Sequence, residues 1–246
     1  MPKEQRVATG VPGLDEMLSG GFLPGSAVLV RGAPGCGKTS LGLQYLVHGV
    51  RNGEPGLLIS FEEFPASIHR DAESYGWNLA QLEQDGQLHL LFTSPQVLLD
   101  SLSSPTSSLS RLMLEGGIQR VVLDSITHFT RLTDDSVQLR NCYNTIINGL
   151  KREGVTSLLL GEENRMPRPQ QEKGKLSFVV DAILLLRYVE VESAMQRAMV
   201  VLKMRGSDHA KDIRRVEIRK DGLHITEVFE GRESILSGIS HRTGAR

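Results

Sequence analysis

One stretch constrains this chain more than any other: Gly32-Ala33-Pro34-Gly35-Cys36-Gly37-Lys38-Thr39. Before it runs Ala27-Val28-Leu29-Val30, a short apolar run of the kind that forms a buried strand. After it, Ser40-Leu41-Gly42-Leu43-Gln44-Tyr45-Leu46 is apolar at helical spacing. A glycine loop between a buried strand and a helix start is the setting a phosphate-binding loop needs. Glycines let the backbone turn so that successive N–H groups point inward at phosphate oxygens. The helix N-terminus adds positive partial charge. In this reading Gly32, Pro34, Gly35, Cys36 and Gly37 shape the cradle and Ser40 opens the helix beside it. Lys38 reaches the terminal phosphates, and the Thr39 hydroxyl holds Mg²⁺. Taken alone, the loop implies a phosphate ligand with Mg²⁺, a combination that many kinases and GTPases would fit.

The rest of the chain repeats the strand–helix alternation. Ala8 to Leu18 reads as a turn and a short helix. Leu57-Leu58-Ile59-Ser60-Phe61 reads as a strand ending on Glu62-Glu63, and Pro65 to Tyr75 as a helix. Gln87 to Phe92 and Arg120 to Asp124 are further strands. Asp100 to Ser110, rich in Ser and Thr, reads as a loop in which Ser104 caps and Pro105 opens a helix to Glu115. Asp135 to Arg152 is a helix stopped by Gly154, and Val155 to Leu160 is a fifth strand. Glu162 to Lys175 is polar with two prolines and reads as a loop. Beyond it the pattern changes to short strand-like runs: Val179 to Val189, Met195 to Met204, Ile213 to Arg219 and Leu223 to Val228. The expected fold class is α/β: a mostly parallel central sheet flanked by helices on both faces, with a C-terminal antiparallel strand extension.

At 246 residues the chain suits one large domain. The expectation is a single unit over 1–246, with an N-terminal segment (1–25), a core (26–240) and a mobile polar tail (241–246). Two cysteines, Cys36 and Cys142, make no disulfide framework, which fits a reducing compartment. Met1 to Arg6 has no apolar signal core, and the longest apolar run, Leu176 to Leu186, is broken by Asp181 and too short for a bilayer. A cytoplasmic protein with no membrane partner is expected. A formal charge of −1 points to neither nucleic acid nor an anionic membrane.

A nucleoside triphosphate site needs a metal-holding carboxylate, a group that activates water, and positive charge for the transition state. Asp124 ends a strand, and strand C-termini of open α/β sheets converge on the ligand crevice. Capping of the next turn is its alternative role. Glu62 and Glu63 also follow a strand end. Adjacent strand residues point to opposite faces, so Glu62 is expected to orient and deprotonate water, with Glu63 in support. Thr39, Asp124 and Glu62 form the expected metal set. Lys203 and Arg205 are two apart and share a strand face, but local spacing does not say where that face points.

Four segments together resemble the KaiC branch of the RecA-like ATPases: Ala8 to Asp15, the phosphate loop, Ser60-Phe61-Glu62-Glu63, and Lys203-Met204-Arg205-Gly206-Ser207-Asp208-His209. The similarity runs from about Arg6 to about Ser240, and the last segment is its most specific part. The resemblance implies a RecA-like P-loop NTPase core and a homo-oligomer, usually a hexameric ring, with ATP at subunit interfaces. It assigns Glu62 and Glu63 as the catalytic carboxylate pair. It assigns Lys203 and Arg205 as a finger reaching the neighbour's γ-phosphate, with Ser207 and His209 near the neighbour's nucleotide.

Two positions depart from the family. Where the clock protein of this family carries an adjacent Ser-Thr pair that is autophosphorylated, this chain reads Ser177-Phe178, so two-site phosphorylation is not available. Cys36 stands where Thr or Ser is common, either as a packed small side chain or as an oxidisable thiol. The expected function is an ATPase with inter-subunit active sites that acts as a nucleotide-driven switch for a protein partner. The alternatives are a DNA-acting recombinase relative, a slow nucleotide-binding scaffold with autokinase activity, and a small-molecule phosphotransferase. For DNA, the Glu162–Lys175 loop offers Arg165, Arg168, Lys173 and Lys175 against Glu162, Glu163 and Glu172, with no aromatic side chain to stack a base.

Overall fold

Residues 5–163, 176–229, 232–233 and 241–242 are described by the structure, a computed structural model. The first strand, β1 (Ala27–Gly32), is buried throughout except for Arg31. Strands this apolar on both faces belong inside a parallel sheet, between layers of helices. Its neighbours are of the same kind: β2 (Gly56–Ser60), β4 (Arg120–Asp124) and β5 (Thr156–Glu162) are buried nearly end to end. Nine strands form one sheet in the order β3-β2-β4-β5-β1-β6-β7-β8-β9. The edge strand is β3 (Leu88–Phe92). Pairing is parallel from β3 through β6 (Ala182–Val191). It turns antiparallel through β7 (Ala194–Met204), β8 (Arg214–Arg219) and β9 (Gly222–Val228). The expected fold class and its antiparallel extension are both present.

Helices cover both faces. On one lie α1 (Leu14–Met17), α2 (Lys38–Arg51), α3 (Pro65–Glu73) and α4 (Leu79–Gln84), burying Leu41, Tyr45, Ile68 and Leu79 in the core on that face. On the other lie α5 (Pro95–Ser103), α6 (Ser108–Glu115) and α7 (Ser136–Arg152), burying Leu98, Met113, Tyr143 and Ile147. Gly42 of α2 must be small, since a Cβ there would come within 2.8 Å of Val122 on β4. That closeness seats the start of α2 on the sheet.

The Ser/Thr-rich stretch is not one loop. Asp100 to Ser103 close α5, which Ser94 caps by accepting from Val97 N–H and which Pro95 opens. The cap of α6 is Ser107, not Ser104. Serine tolerates the end of α5 because Ser103 Oγ donates back to Leu99 O at 2.8 Å. The short α4 was not expected from the sequence; it has one buried residue, Leu79, too few for a periodic pattern. β2 ends at Ser60, one residue before the expected end. His241 and Arg242, expected in a mobile tail, pair with Glu233 and Arg232.

The Ala8–Asp15 segment is a structural clamp. Thr9 N–H donates to Asp15 Oδ1 at 2.7 Å. The buried Gln44 donates to the carbonyls of Gly10 and Leu223 and accepts from Leu223 N–H, tying this segment to α2 and β9. Arg120, fully buried at the start of β4, pairs with Glu54 and donates to the carbonyls of Ala8 and Tyr45.

Register defines the two edges of the sheet. Gly32 ends β1 level with Glu162 and Leu186, and Ser60 ends β2 level with Asp124. The phosphate loop, Glu62 and Asp124 therefore share one edge. β7 runs the other way: its last residue, Met204, pairs with Ala182, which pairs with Val28 near the start of β1. Val28 lies four residues before Gly32, about 13 Å along the strand.

Candidate active site

The phosphate loop bends as its glycines allow. Gly35 and Gly37 adopt φ of 75° and 104°, a region that L side chains rarely enter. Lys38 Nζ donates to the carbonyls of Gly32 and Ala33, both at 3.0 Å, so its charge sits inside the loop. Cys36 is fully buried. Its Sγ fills space beside Gly32, where a Cβ would come within 2.5 Å of it. Burial pushes the thiol up, against the opposing pull of Lys38, which is the reverse of an activated thiolate. The packed-side-chain reading of Cys36 is the one this geometry fits.

Two residues that the sequence did not single out steady the loop from the antiparallel extension. Tyr188 Oη on β6 donates to Gly35 O at 2.6 Å. Arg197 on β7 reaches the same carbonyl at 3.4 Å and lies over the Tyr188 ring, 5.2 Å from its centroid. They lie 153 and 162 residues from Gly35, so no local signal could reveal them.

Thr39 Oγ1 donates to Asp124 Oδ2 at 2.6 Å. The first turn of α2 and the end of β4 thus bring two of the three expected metal ligands together. Burial holds the Asp124 carboxyl above its ordinary range, with Thr39, Lys38 and His128 pulling it back. Ser40 Oγ shares a hydrogen bond with Tyr75 Oη, in the turn after α3, at 2.9 Å, so its hydroxyl is engaged there rather than in the loop. Donor sets of this kind, hydroxyl plus carboxylate beside a glycine cradle and an ammonium, suit a divalent cation and a polyphosphate.

Glu62 and Glu63 both lie past the end of β2, so strand alternation does not separate them. They are held differently. Glu62 Oε1 is 3.3 Å from His128 Nε2 and 3.4 Å from Arg131 Nη2, both on the 3₁₀ turn Ile126–Arg131 that follows β4. Glu63 has its backbone N–H and carbonyl bonded to the Ser60 hydroxyl. Partial shielding pushes its carboxyl up, and the charges of Asp124, Asp71 and Glu62 push it further. Phe61, between His128 and Phe129, fixes the turn from which both project.

Lys203 and Arg205 are at the other edge of the sheet. Lys203 Nζ donates to Ser177 O at 2.8 Å and Val180 O at 2.7 Å. Arg205 Nη2 donates to Phe178 O at 2.6 Å. Both grip the turn that leads into β6. Desolvation lowers the Lys203 ammonium, and the Arg205 charge adds to this. The following segment is fastened to α1: Ser19 Oγ donates to Asp208 O, and Ala210 N–H to Met17 O. Ser207 Oγ donates to Asp208 O, and His209 Nδ1 is buried without a partner among the described residues. The structure therefore joins the loop, Asp124 and the two glutamates, and keeps Lys203, Arg205, Ser207 and His209 apart from them. The basic residues of the Glu162–Lys175 loop fall outside the described residues. No described helix is long and apolar enough to cross a membrane.

Comparison with known proteins follows the same lines. The family model described as "ATPase: KaiC" matches residues 7–230. Circadian clock oscillator protein KaiC 1 of Synechocystis sp. is 35% identical over 244 residues, covering 96% of this chain and 45% of that protein. The circadian clock oscillator protein KaiC of Parathermosynechococcus lividus is 33% identical over 242 residues, covering 96% and 43%. The chain thus spans about half the length of the curated relatives it matches. Among solved structures, that of a KaiC-like protein from the hyperthermophilic archaeon Pyrococcus horikoshii superposes with a TM-score of 0.80 at 26% identity, covering 91% of this chain and 99% of that one.

Proposed function

The chain belongs to the KaiC family of ATPases, and from that premise we propose that it hydrolyses ATP at sites completed by a second copy of itself. The observation that carries the reading is the strand register. Lys203 and Arg205 sit about 13 Å along the sheet from their own phosphate loop, so the charge they offer suits a neighbour's site better than their own.

The roles follow from the residues. The loop amides and Lys38, whose ammonium would exchange the Gly32 and Ala33 carbonyls for phosphate oxygens, bind the triphosphate. Thr39 and Asp124 would hold Mg²⁺, which when bound neutralises phosphate charge. Glu62, steadied by His128 and Arg131, orients the attacking water, and Glu63, with its raised carboxyl, helps take up the proton. Glu62 also belongs to the expected metal set with Thr39 and Asp124. Arg205 and Lys203 of the adjoining copy stabilise charge on the transferring phosphoryl group, with Ser207 and His209 beside them. A site split in this way makes turnover depend on assembly, which suits a nucleotide-driven switch acting on a protein partner. A ring of six is the form the family resemblance suggests.

The test is particle size by light scattering, with and without ATP and Mg²⁺, alongside phosphate release. A larger particle that appears with nucleotide, and carries the hydrolysis, supports the proposal. A monomer with full activity defeats it.

A further inference from the structure

Asp181 enters the sequence only as the break in an apolar run, yet three separate elements meet on it. Its Oδ2 accepts from Ala27 N–H, the first residue of β1, at 2.9 Å. The same oxygen pairs with Lys151 Nζ, in the last turn of α7, at 2.7 Å. Its Oδ1 faces Arg205 Nη1 at 3.8 Å. Its backbone meets two of the same partners: Asp181 N–H donates to Ala27 O, and Arg205 N–H donates to Asp181 O, both at 2.8 Å.

We propose that Asp181 is a positioning residue that sets where Arg205 is presented to the neighbouring copy. This rests on the reading that Arg205 acts in trans. Asp181 does not touch nucleotide in that reading, because it lies at the edge of the sheet away from the phosphate loop.

The physical case has two parts. The Asp181 side chain is 19% exposed and that of Arg205 is 52%, so the direct ion pair at 3.8 Å contributes little by itself. What Asp181 supplies is a fixed reference point, since β1 and α7 hold its carboxylate from below. Arg205 is then restrained at two places, Nη2 on Phe178 O and Nη1 towards Asp181. The second part is charge. Lys151, Lys203 and Arg205 converge here, and the Lys203 ammonium is disfavoured by both other cations while Asp181 favours it. With the carboxylate removed, three cations face one another and Arg205, the most exposed beside the turn, is the one free to swing away.

The test uses the full chain. Asp181→Asn is expected to keep its affinity for a fluorescent ATP analogue. Its turnover should fall on the order of tenfold to a hundredfold, the scale of a misplaced catalytic group. A defect in the variant's own catalytic edge would look the same, so the variant is mixed with a donor chain carrying Glu62→Gln and Glu63→Gln, which keeps its finger and phosphate loop. If Asp181 acts on the finger, the donor's finger serves the variant's sites and a large part of the turnover returns. Arg205→Ala with the same donor is the control. Unchanged turnover in Asp181→Asn overturns the proposal. So does failure of the donor to restore Asp181→Asn while it restores Arg205→Ala, because the defect then lies within the variant's own site. If the donor restores neither, the trans reading fails and the role of Asp181 falls with it. Should Asp181→Asn not fold, Asp181→Glu, which keeps the charge and moves it outward, is read by the same mixing and the same outcomes.

Discussion

The two edges of the sheet differ in how complete they are. At the phosphate-loop edge, groups from three strand ends hold one another: Thr39 bonds Asp124, Lys38 bonds its own loop, and His128 and Arg131 hold Glu62. At the opposite edge, Lys203 and Arg205 bond backbone carbonyls of a turn, and Arg205 keeps half of its side chain in solvent. The first edge is built to bind phosphate within one chain. The second presents cations with no phosphate loop beside them among the described residues. In the proposed reading the residues of one site do not share one edge of one chain, and the strand register is the observation that suggests the division.

The sharpest way to break this comparison is Arg205→Ala. It should lower turnover by about 10³-fold, the scale of an arginine supplied in trans, while ATP affinity by fluorescence titration stays unchanged. A parallel loss of affinity would place Arg205 in its own chain's binding site and erase the distinction between the edges. Next in size are the carboxylates. Glu62→Gln and Glu63→Gln should each lower phosphate release on the order of 10²-fold with binding retained. They should differ in pH dependence. A proton acceptor works only when deprotonated, and the Glu63 carboxyl is raised. Activity should therefore fall on acidification at a higher pH than an ordinary glutamate gives, and Glu63→Gln should remove that step from the pH–rate profile. If Glu62→Gln alone removes it, the two roles are exchanged.

Tyr188→Phe probes the loop's support. It deletes one hydrogen bond to Gly35 O, worth about 0.5–1.5 kcal/mol, so ATP affinity should weaken by no more than about tenfold. The smallest effect concerns thiols. Under a limiting thiol reagent Cys142, partly exposed, should label while the buried Cys36 stays unmodified and turnover holds. Rapid labelling of Cys36 would show that the loop opens more readily than its packing indicates.

The phosphate-loop edge was legible in the sequence because its signals are local. A glycine run after an apolar strand, and carboxylates at strand ends, declare themselves within a few residues, and Arg120–Asp124 is the strand that was expected. The Ser/Thr-rich stretch misled because serine composition outweighed the spacing of Leu98, Leu99 and Leu102, which marks α5. Ser94-Pro95 was the available cap signal. The far edge could not be read locally at all. The pairing of Met204 with Ala182, the grip of Lys203 on the Ser177 and Val180 carbonyls, and the place of Asp181 depend on contacts between distant segments. Only the family resemblance linked Lys203–His209 to a nucleotide, and it is the register that explains why the nucleotide would belong to another copy.

The most direct test of that central claim is turnover per chain as a function of protein concentration, with particle size measured in the same samples under saturating ATP and Mg²⁺. The account predicts that specific turnover collapses on dilution through the range where the assembly falls apart to monomer. It also predicts that Arg205→Ala assembles over the same range yet stays inactive. Specific turnover that holds constant down to a demonstrated monomer would contradict it.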